Sequence, residues 1–299
     1  MSIKELGSEP MLINFSTPSK WRTLYEKAKE NYWQPETLDV QPDKIQWLDM
    51  PKSLKRTVMG LLQYAILLDS YQVDNISAFC HSLSDPQLKA LLASHANMEA
   101  VHSQSYSYWA EAVCTQKQKT WLYQDTKQTY SRLGVYKTLE VKAGTTLANY
   151  FLEGVSFQAL FRLSDILKVE GFLPGFSAIL NLIKRDEDLH VATFQGLIKT
   201  PLTTVQIEAF KAAIIEEAAQ IFDITENKLL SEYIEYIGAI RLKALGVPTD
   251  IPENPLKHLE AYNDTTKQNL KANFFTSNVV YSQRDESLDW QVDNWFDNP

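Results

Sequence analysis

The stretch Asn97-Met98-Glu99-Ala100-Val101-His102-Ser103-Gln104-Ser105-Tyr106 decides how the rest of the chain is read. On an α-helix, Glu99 and His102 stand at i and i+3, and Tyr106 follows His102 at i+4, so all three project from one face. A carboxylate, an imidazole and a phenol on one stripe of an apolar helix suit a metal site with a redox-active neighbour. One Glu-x-x-His pair arises easily by chance, and most such pairs belong to solvated helix surface. A second copy, Glu187-Asp188-Leu189-His190, changes that balance: of five histidines, two stand three residues after a glutamate.

Working outward, two further acids fall where apolar residues are expected. Pro51-Lys52-Ser53-Leu54 opens a helical pattern predicted to run to about Phe79, and Asp69 shares its broad apolar face with Leu61, Leu62, Ala65 and Leu68. Glu153 lies among Leu152, Val155 and Phe157 in a second pattern, predicted as one helix from about Thr138 to Lys168. A buried carboxylate needs a partner, a proton or a metal. Helix-bundle dimetal sites take one acid from each of two helices and an acid-x-x-His pair from each of two others. Asp69, the pair Glu99 and His102, Glu153, and the pair Glu187 and His190 supply that set from four predicted helices. Four carboxylates and two neutral imidazoles balance two divalent cations, and these donors favour iron or manganese over a thiolate-type zinc site.

The remaining segments complete a helical reading. Residues 1–15 read as an irregular arm, and Thr17-Pro18-Ser19 is expected to open a helix to about Tyr32, with Pro18 suited to its first turn. Residues 33–39 are a connector containing Pro35, and Ser84-Asp85-Pro86 starts the helix that carries Glu99, His102 and Tyr106 to about Val113. The polar, aromatic residues 116–136 read as short helices and turns. After Gly171 and Pro174 a helix from about Phe176 to Ile198 carries the second pair, and Pro201, Thr203 and Thr204 start a last long helical region ending near Gly246. Strand alternation, sequence repeats and low-complexity blocks are lacking, so the fold class is all-α. The bundle is expected to occupy residues 1–262, followed by a flexible tail over 263–299.

Composition narrows the function classes. The 299 residues are 44% hydrophobic, enough for a sizeable core, and 10 Gly and 12 Pro are few breakers for that length. A net charge of −8 gives no basic footprint for nucleic acid. Cys80 and Cys114 cannot form a disulfide framework or a cysteine-rich metal site. Met1 to Pro10 lacks the apolar core of a signal peptide, and no stretch reads as a membrane span. A reduced, cytoplasmic protein is expected, without nucleic-acid or membrane partners.

The motifs together resemble one family. Asp69 in Leu67-Leu68-Asp69-Ser70, Glu99-x-x-His102-Ser-x-Ser-Tyr106, Leu152-Glu153-Gly154-Val155-x-Phe157 and Arg185-Asp186-Glu187-x-Leu189-His190 are similar to the radical-generating small subunit of class I ribonucleotide reductase. The resemblance implies a ferritin-like helical bundle with a dinuclear centre: iron in first place, with dimanganese or a mixed Mn/Fe pair open. Asp69 and His102 would ligate one metal, Glu153 and His190 the other, and Glu99 and Glu187 would bridge. Tyr106 would carry a tyrosyl radical in an apolar pocket to which Phe157, Phe161 and Ile183 belong.

The same resemblance implies a hydrogen-bonded chain from His102 through Asp186 to Trp33, leading toward a catalytic large subunit. Read on its own, Trp33 is a packing aromatic and Asp186 a surface acid in a charged run. The C-terminal residues, with Val279-Val280-Tyr281 and Asp289-Trp290 to Trp295-Phe296, are expected to dock on that subunit and to place a redox tyrosine, Tyr281. A homodimer is expected. Two other readings stay open: a related dimetal oxidase or monooxygenase, which has no use for the Trp33 relay, and a non-enzymatic metal-storage bundle, which needs neither Tyr106 nor a docking tail.

Overall fold

The computed structural model describes residues 12–124 and 126–259. Twelve α-helices follow one another in this region, and no strand occurs among the described residues: α1 Lys20–Glu30, α2 Gln41–Asp49, α3 Lys52–His81, α4 Pro86–Val113, α5 Gln116–Leu122, α6 Lys127–Ser131, α7 Gly134–Ala143, α8 Thr145–Phe151, α9 Gln158–Glu170, α10 Pro174–Leu197, α11 Thr204–Thr225 and α12 Lys228–Ala244. Between α8 and α9 runs a π-helical segment, Leu152–Ser156. The all-α class read from the sequence is what the protein forms.

The helix starts have local causes. Ser19 Oγ accepts from Arg22 N–H at 3.1 Å and caps α1. Asp85 caps α4 by accepting from Gln87 N–H and Leu88 N–H at 2.9 and 3.1 Å, with Pro86 just inside the helix. Asn227 does the same for α12. α9 stops at Gly171, whose φ of 75° is the left-handed conformation that glycine adopts without strain.

A long antiparallel pair, α3 and α4, packs at the centre, with α10 beside α4, α8 and α9, while α11 and α12 pack on each other and close the bundle over α7 and the π-segment. The core between them is rich in large rings, among them Trp109, Tyr150, Phe151, Phe157, Phe176, Phe194 and Phe210, all essentially inaccessible to water.

Two expectations need correction, and one helical region resolves into two helices. The helix read over residues 138–168 is broken at Gly144, with φ of 94°, and again where the backbone widens into the π-segment. The last long helical region is two helices, because Glu226 takes a left-handed conformation and Asn227 starts a new N-terminus. Pro18 precedes the cap of α1 and lies outside its first turn.

A short helix, α2, stands where the sequence pattern points to no element. It delivers Asp43, which is buried and accepts from Gly175 N–H at 2.9 Å, Phe176 N–H at 2.7 Å and Trp109 Nε1–H at 2.8 Å. Asp43 thus holds the N-terminus of α10 against α4. A Cβ at Gly175 would lie 2.7 Å from Asp39 O, so only glycine permits this approach.

Candidate metal centre

Four elements aim polar side chains into one dry space. α3 supplies Asp69, α4 supplies Glu99 and His102, the π-segment supplies Glu153, and α10 supplies Glu187 and His190. Each of the six is at most 1% exposed. Glu153 sits on the backbone irregularity itself, and single π-turns within helices are frequent at functional sites. Arg241 braces the segment from α12, with Nε donating to Gly154 O at 3.1 Å.

The six residues form two quartets, Asp69, Glu99, His102, Glu187 and Glu99, Glu153, Glu187, His190, in each of which the ligand atoms lie within 4.8 Å of one another. Glu99 and Glu187 belong to both. His190 Nδ1 lies 2.9 Å from Glu99 Oε1, 3.0 Å from Glu187 Oε2 and 3.7 Å from Glu153 Oε2. His102 Nδ1 lies 3.2 Å from Glu187 Oε1 and 3.6 Å from Glu99 Oε2. Both imidazoles therefore turn the same ring nitrogen toward the shared carboxylates.

The electrostatics of this cluster call for cations. Both oxygens of Asp69 and of Glu99, Glu153 Oε2, Glu187 Oε1 and His102 Nδ1 are buried without a hydrogen-bond partner. Burial, reinforced by the Glu99 charge, pushes the Asp69 carboxyl well above its usual range, and burial with Glu187 and Glu99 does the same to Glu153. Burial opposes charge on His102, yet its contacts with Asp186, Glu187 and Glu99 raise it. His190 is raised against burial by Glu187 and Glu99. Glu187 is held low, because His190 and His102 outweigh its burial. Without cations such a group of acids must hold protons. Two divalent ions would replace those protons, and four carboxylates would neutralise them. The donor set fits a pair of metal ions sharing Glu99 and Glu187.

Around this centre, the structure links three predicted residues by hydrogen bonds. Trp33 Nε1–H donates to Asp186 Oδ2 at 2.8 Å, and the same oxygen lies 3.3 Å from His102 Nε2. Asp186 is buried, which overturns its reading as a surface acid in a charged run. Its other oxygen takes Arg185, whose guanidinium also reaches Asn31 O. Trp33 and Asp186 border a cleft of about 660 Å³ between α1 and α4. Tyr106 is fully buried on the stripe of Glu99 and His102, and its hydroxyl has no hydrogen-bond partner. Burial and the Asp69 carboxylate beside it push the phenol well above its ordinary range. Phe157, Phe161 and Ile183 are buried in the same core. Tyr281 and the aromatic C-terminal residues lie outside the described residues.

Sequence reading missed other polar groups at the centre. Gln72, one turn after Asp69, donates to Glu153 Oε1, and Asn75 connects it to Asn149. His95 is fully buried, its ring centroid 4.2 Å from that of His190, and burial with His190 keeps it well below the ordinary imidazole range. It lies four residues before Glu99 and so on the same stripe, a signal the Glu-x-x-His spacing does not include. Glu217 is buried on α11 and accepts from Tyr64 Oη at 2.9 Å.

Comparison with known proteins points to one family. A family model described as "Ribonucleotide reductase, small chain" matches residues 12–255. The ribonucleoside-diphosphate reductase subunit beta of Treponema pallidum is 25% identical over 259 residues, covering 76% of this protein and 73% of the relative. A ribonucleoside-diphosphate reductase small chain of Arabidopsis thaliana is 26% identical over 284 residues, covering 87% and 82%. In fold the protein is similar to the ribonucleotide reductase R2 subunit from Clostridium botulinum (TM-score 0.76, 22% identity, 84% of this protein and 90% of that one). It is also similar to the dimanganese(II)-NrdF of Streptococcus sanguinis (TM-score 0.71, 18% identity, 81% and 94%).

Proposed function

Since the chain belongs to the ribonucleotide reductase small-chain family, and so is the small subunit of a ribonucleoside-diphosphate reductase, we propose that it generates the enzyme's radical at Tyr106. The observation that carries this reading is the pair of buried quartets sharing Glu99 and Glu187 on the helical stripe that also bears Tyr106. Asp69 and His102 would hold one ion, Glu153 and His190 the other, with Glu99 and Glu187 between them. Bound there and oxidised by an external oxidant such as oxygen, two redox-active ions would supply the oxidising equivalent that a phenol needs to lose an electron. Iron is the pair we assign. Manganese suits the same donors, and one fold neighbour is a dimanganese(II) protein.

The chain's own residues set what happens next. Tyr106 gives up one electron and its phenolic proton together, because a charged phenol radical is unfavourable in a dry core. The Asp69 carboxylate beside the hydroxyl would take that proton. Burial of Tyr106 keeps water and reductants from the resulting radical. His102, Asp186 and Trp33 then offer a continuous hydrogen-bonded path from the centre to the cleft between α1 and α4.

From Trp33 the oxidising equivalent would pass through Tyr281 to a cysteine of the large subunit, where the ribonucleotide is reduced. The acidic, aromatic residues 285–296 would dock on that subunit, and two copies of this protein would form a homodimer. Deleting the residues after Asp289 separates docking from radical generation: metal binding and the Tyr106 signal should persist while turnover with the large subunit disappears.

Reconstituting the full-length protein with Fe(II) and oxygen, or with Mn(II), and counting metal by elemental analysis tests the centre. Two ions per protomer are expected, with a tyrosyl signal in electron paramagnetic resonance. The Glu187→Ala protein should lose both. Full two-metal loading in that variant would remove the assignment.

A further inference from the structure

His102 and His190 present the same face to the centre but have different support behind them. His102 Nε2 donates to the Asp186 carboxylate, which leaves Nδ1 free to ligate. His190 has no such acid: its Nε2 is buried without a hydrogen-bond partner. If His190 Nδ1 gives its lone pair to an ion, as its place among Glu99, Glu187 and Glu153 requires, the proton of the neutral ring must sit on Nε2. A buried donor is then left without an acceptor.

The neighbouring ring has the complementary need. Thr193 Oγ1 donates its only hydrogen to Leu189 O at 3.0 Å, so toward His95 Nε2, 3.5 Å away, it can only accept. His95 Nε2 therefore carries the proton, and His95 Nδ1 is a bare lone pair. That atom too is buried without a partner. Two imidazoles with centroids 4.2 Å apart thus hold one unpaired donor and one unpaired acceptor. Unpaired buried polar atoms are costly and are seldom left so on both sides of one contact.

We propose that His95 is the positioning residue of His190: the two rings lie face against face with a tilt of 37°, and its Nδ1 accepts the His190 Nε2–H across a single water, which fixes the tautomer and ring orientation with which His190 ligates. The two metal positions are then unlike. One ligand imidazole is backed by an anion, Asp186, and the other by a neutral ring, His95. A carboxylate partner makes its imidazole the stronger donor, so the His102 position binds its ion more tightly than the His190 position. The inference rests on the dimetal reading above.

Stepwise Mn(II) binding to the metal-free full-length protein, followed by the six-line paramagnetic resonance signal of free Mn(II), reads this without any activity measurement. Wild type should take two ions of unequal affinity. His95→Phe keeps a ring of similar shape but offers no acceptor, and it should weaken the looser ion about 10- to 100-fold while sparing the tighter one. His95→Gln returns an acceptor oxygen and should recover most of the loss. Should His95→Phe fail to fold, Thr193→Val decides. It removes the acceptor that keeps the proton on His95 Nε2 while leaving both imidazole side chains in the protein, and the looser ion should weaken several-fold. Unchanged affinities in the folded His95→Phe or Thr193→Val protein, or a His95→Gln protein as weak as His95→Phe, would overturn the proposal. A wild-type protein that binds no pair of ions would instead remove the dimetal reading.

Discussion

Trp33 and Asp186, 153 residues apart in sequence, meet through a buried hydrogen bond of 2.8 Å, and the acceptor oxygen is the one that faces His102 Nε2. One carboxylate oxygen therefore orients both a large aromatic at the cleft and an imidazole at the centre. Arg185 occupies the other oxygen and ties the group to the carbonyl of Asn31, two residues before Trp33. Nothing in this arrangement is needed to fold a bundle, since an apolar side chain of similar volume would fill the space without desolvating a charge.

Asp186→Asn should separate the two roles of this carboxylate. An amide oxygen still accepts from Trp33 but no longer sets a negative charge behind His102. The ion on His102 should bind roughly 10- to 100-fold more weakly, as for other partners of ligand histidines. Trp33→Phe should leave both ions and the Tyr106 signal intact while removing turnover with the large subunit. Wild-type turnover in Trp33→Phe would show that the path leaves the centre elsewhere.

Tyr106→Phe has an expected sign in stability as well as in function. The hydroxyl it removes is buried, with the Asp69 carboxylate beside it but no well-aligned hydrogen bond. Leaving such a group unsatisfied costs about 1–3 kcal/mol, so the variant should melt no lower than wild type. The metal complement should persist and the tyrosyl signal should vanish. A melting temperature several degrees lower would mean that the hydroxyl has a partner in solution.

Why are some parts of this molecule legible in its sequence and others hidden? Asp69, Glu99, His102, Glu153, Glu187 and His190 stand out because acids on apolar helical faces break a pattern, and the structure gathers all six. Trp33 and Asp186 are legible only through family resemblance, since a tryptophan and an acid 153 residues apart share no local period. The π-segment is hidden because one extra residue in a turn leaves an apolar run apolar. The break at Asn227 is hidden because helical periodicity resumes at once on both sides. α2 is short, and its one decisive residue, Asp43, acts on Gly175 and Trp109, far away in sequence. His95 and Glu217 carry no motif. Glu217 differs from its exposed neighbour Glu216 only by the direction in which α11 faces.

Asp43→Ala tests whether α2 matters to the fold. The change would strand two buried backbone N–H groups at the start of α10 and the Trp109 indole N–H. Three lost partners, each worth about 1 kcal/mol or more when left unsatisfied, give an expected loss of roughly 3 kcal/mol. A thermal melt of the metal-free protein reads this directly. A melt within a degree of wild type would mean that water replaces the carboxylate and that α10 needs no such cap.

Glu217 yields a pH dependence with a definite sign. Burial pushes its carboxyl from 4.5 up to about 7, partly offset by the hydrogen bonds from Tyr64 and Ser156. Between those values the folded chain holds a proton that the unfolded chain has released. The contribution of Glu217 to stability is therefore full below about pH 4.5 and is lost as the pH rises through about 7, for a total of roughly 3 kcal/mol. Glu217→Gln cannot ionise, and its amide oxygen still accepts from Tyr64 Oη, which donates to Glu217 at 2.9 Å in the wild type. The variant should match wild type near pH 5 and exceed it near pH 8 by on the order of 1–3 kcal/mol. Denaturant melts of both proteins with a chelator present make the comparison. The acids of the metal centre titrate alike in the two proteins and cancel in the difference. A stability difference that stays constant from about pH 5 to 8 would show that Glu217 is already ionised in the fold, with Tyr64 and Ser156 supporting the charge.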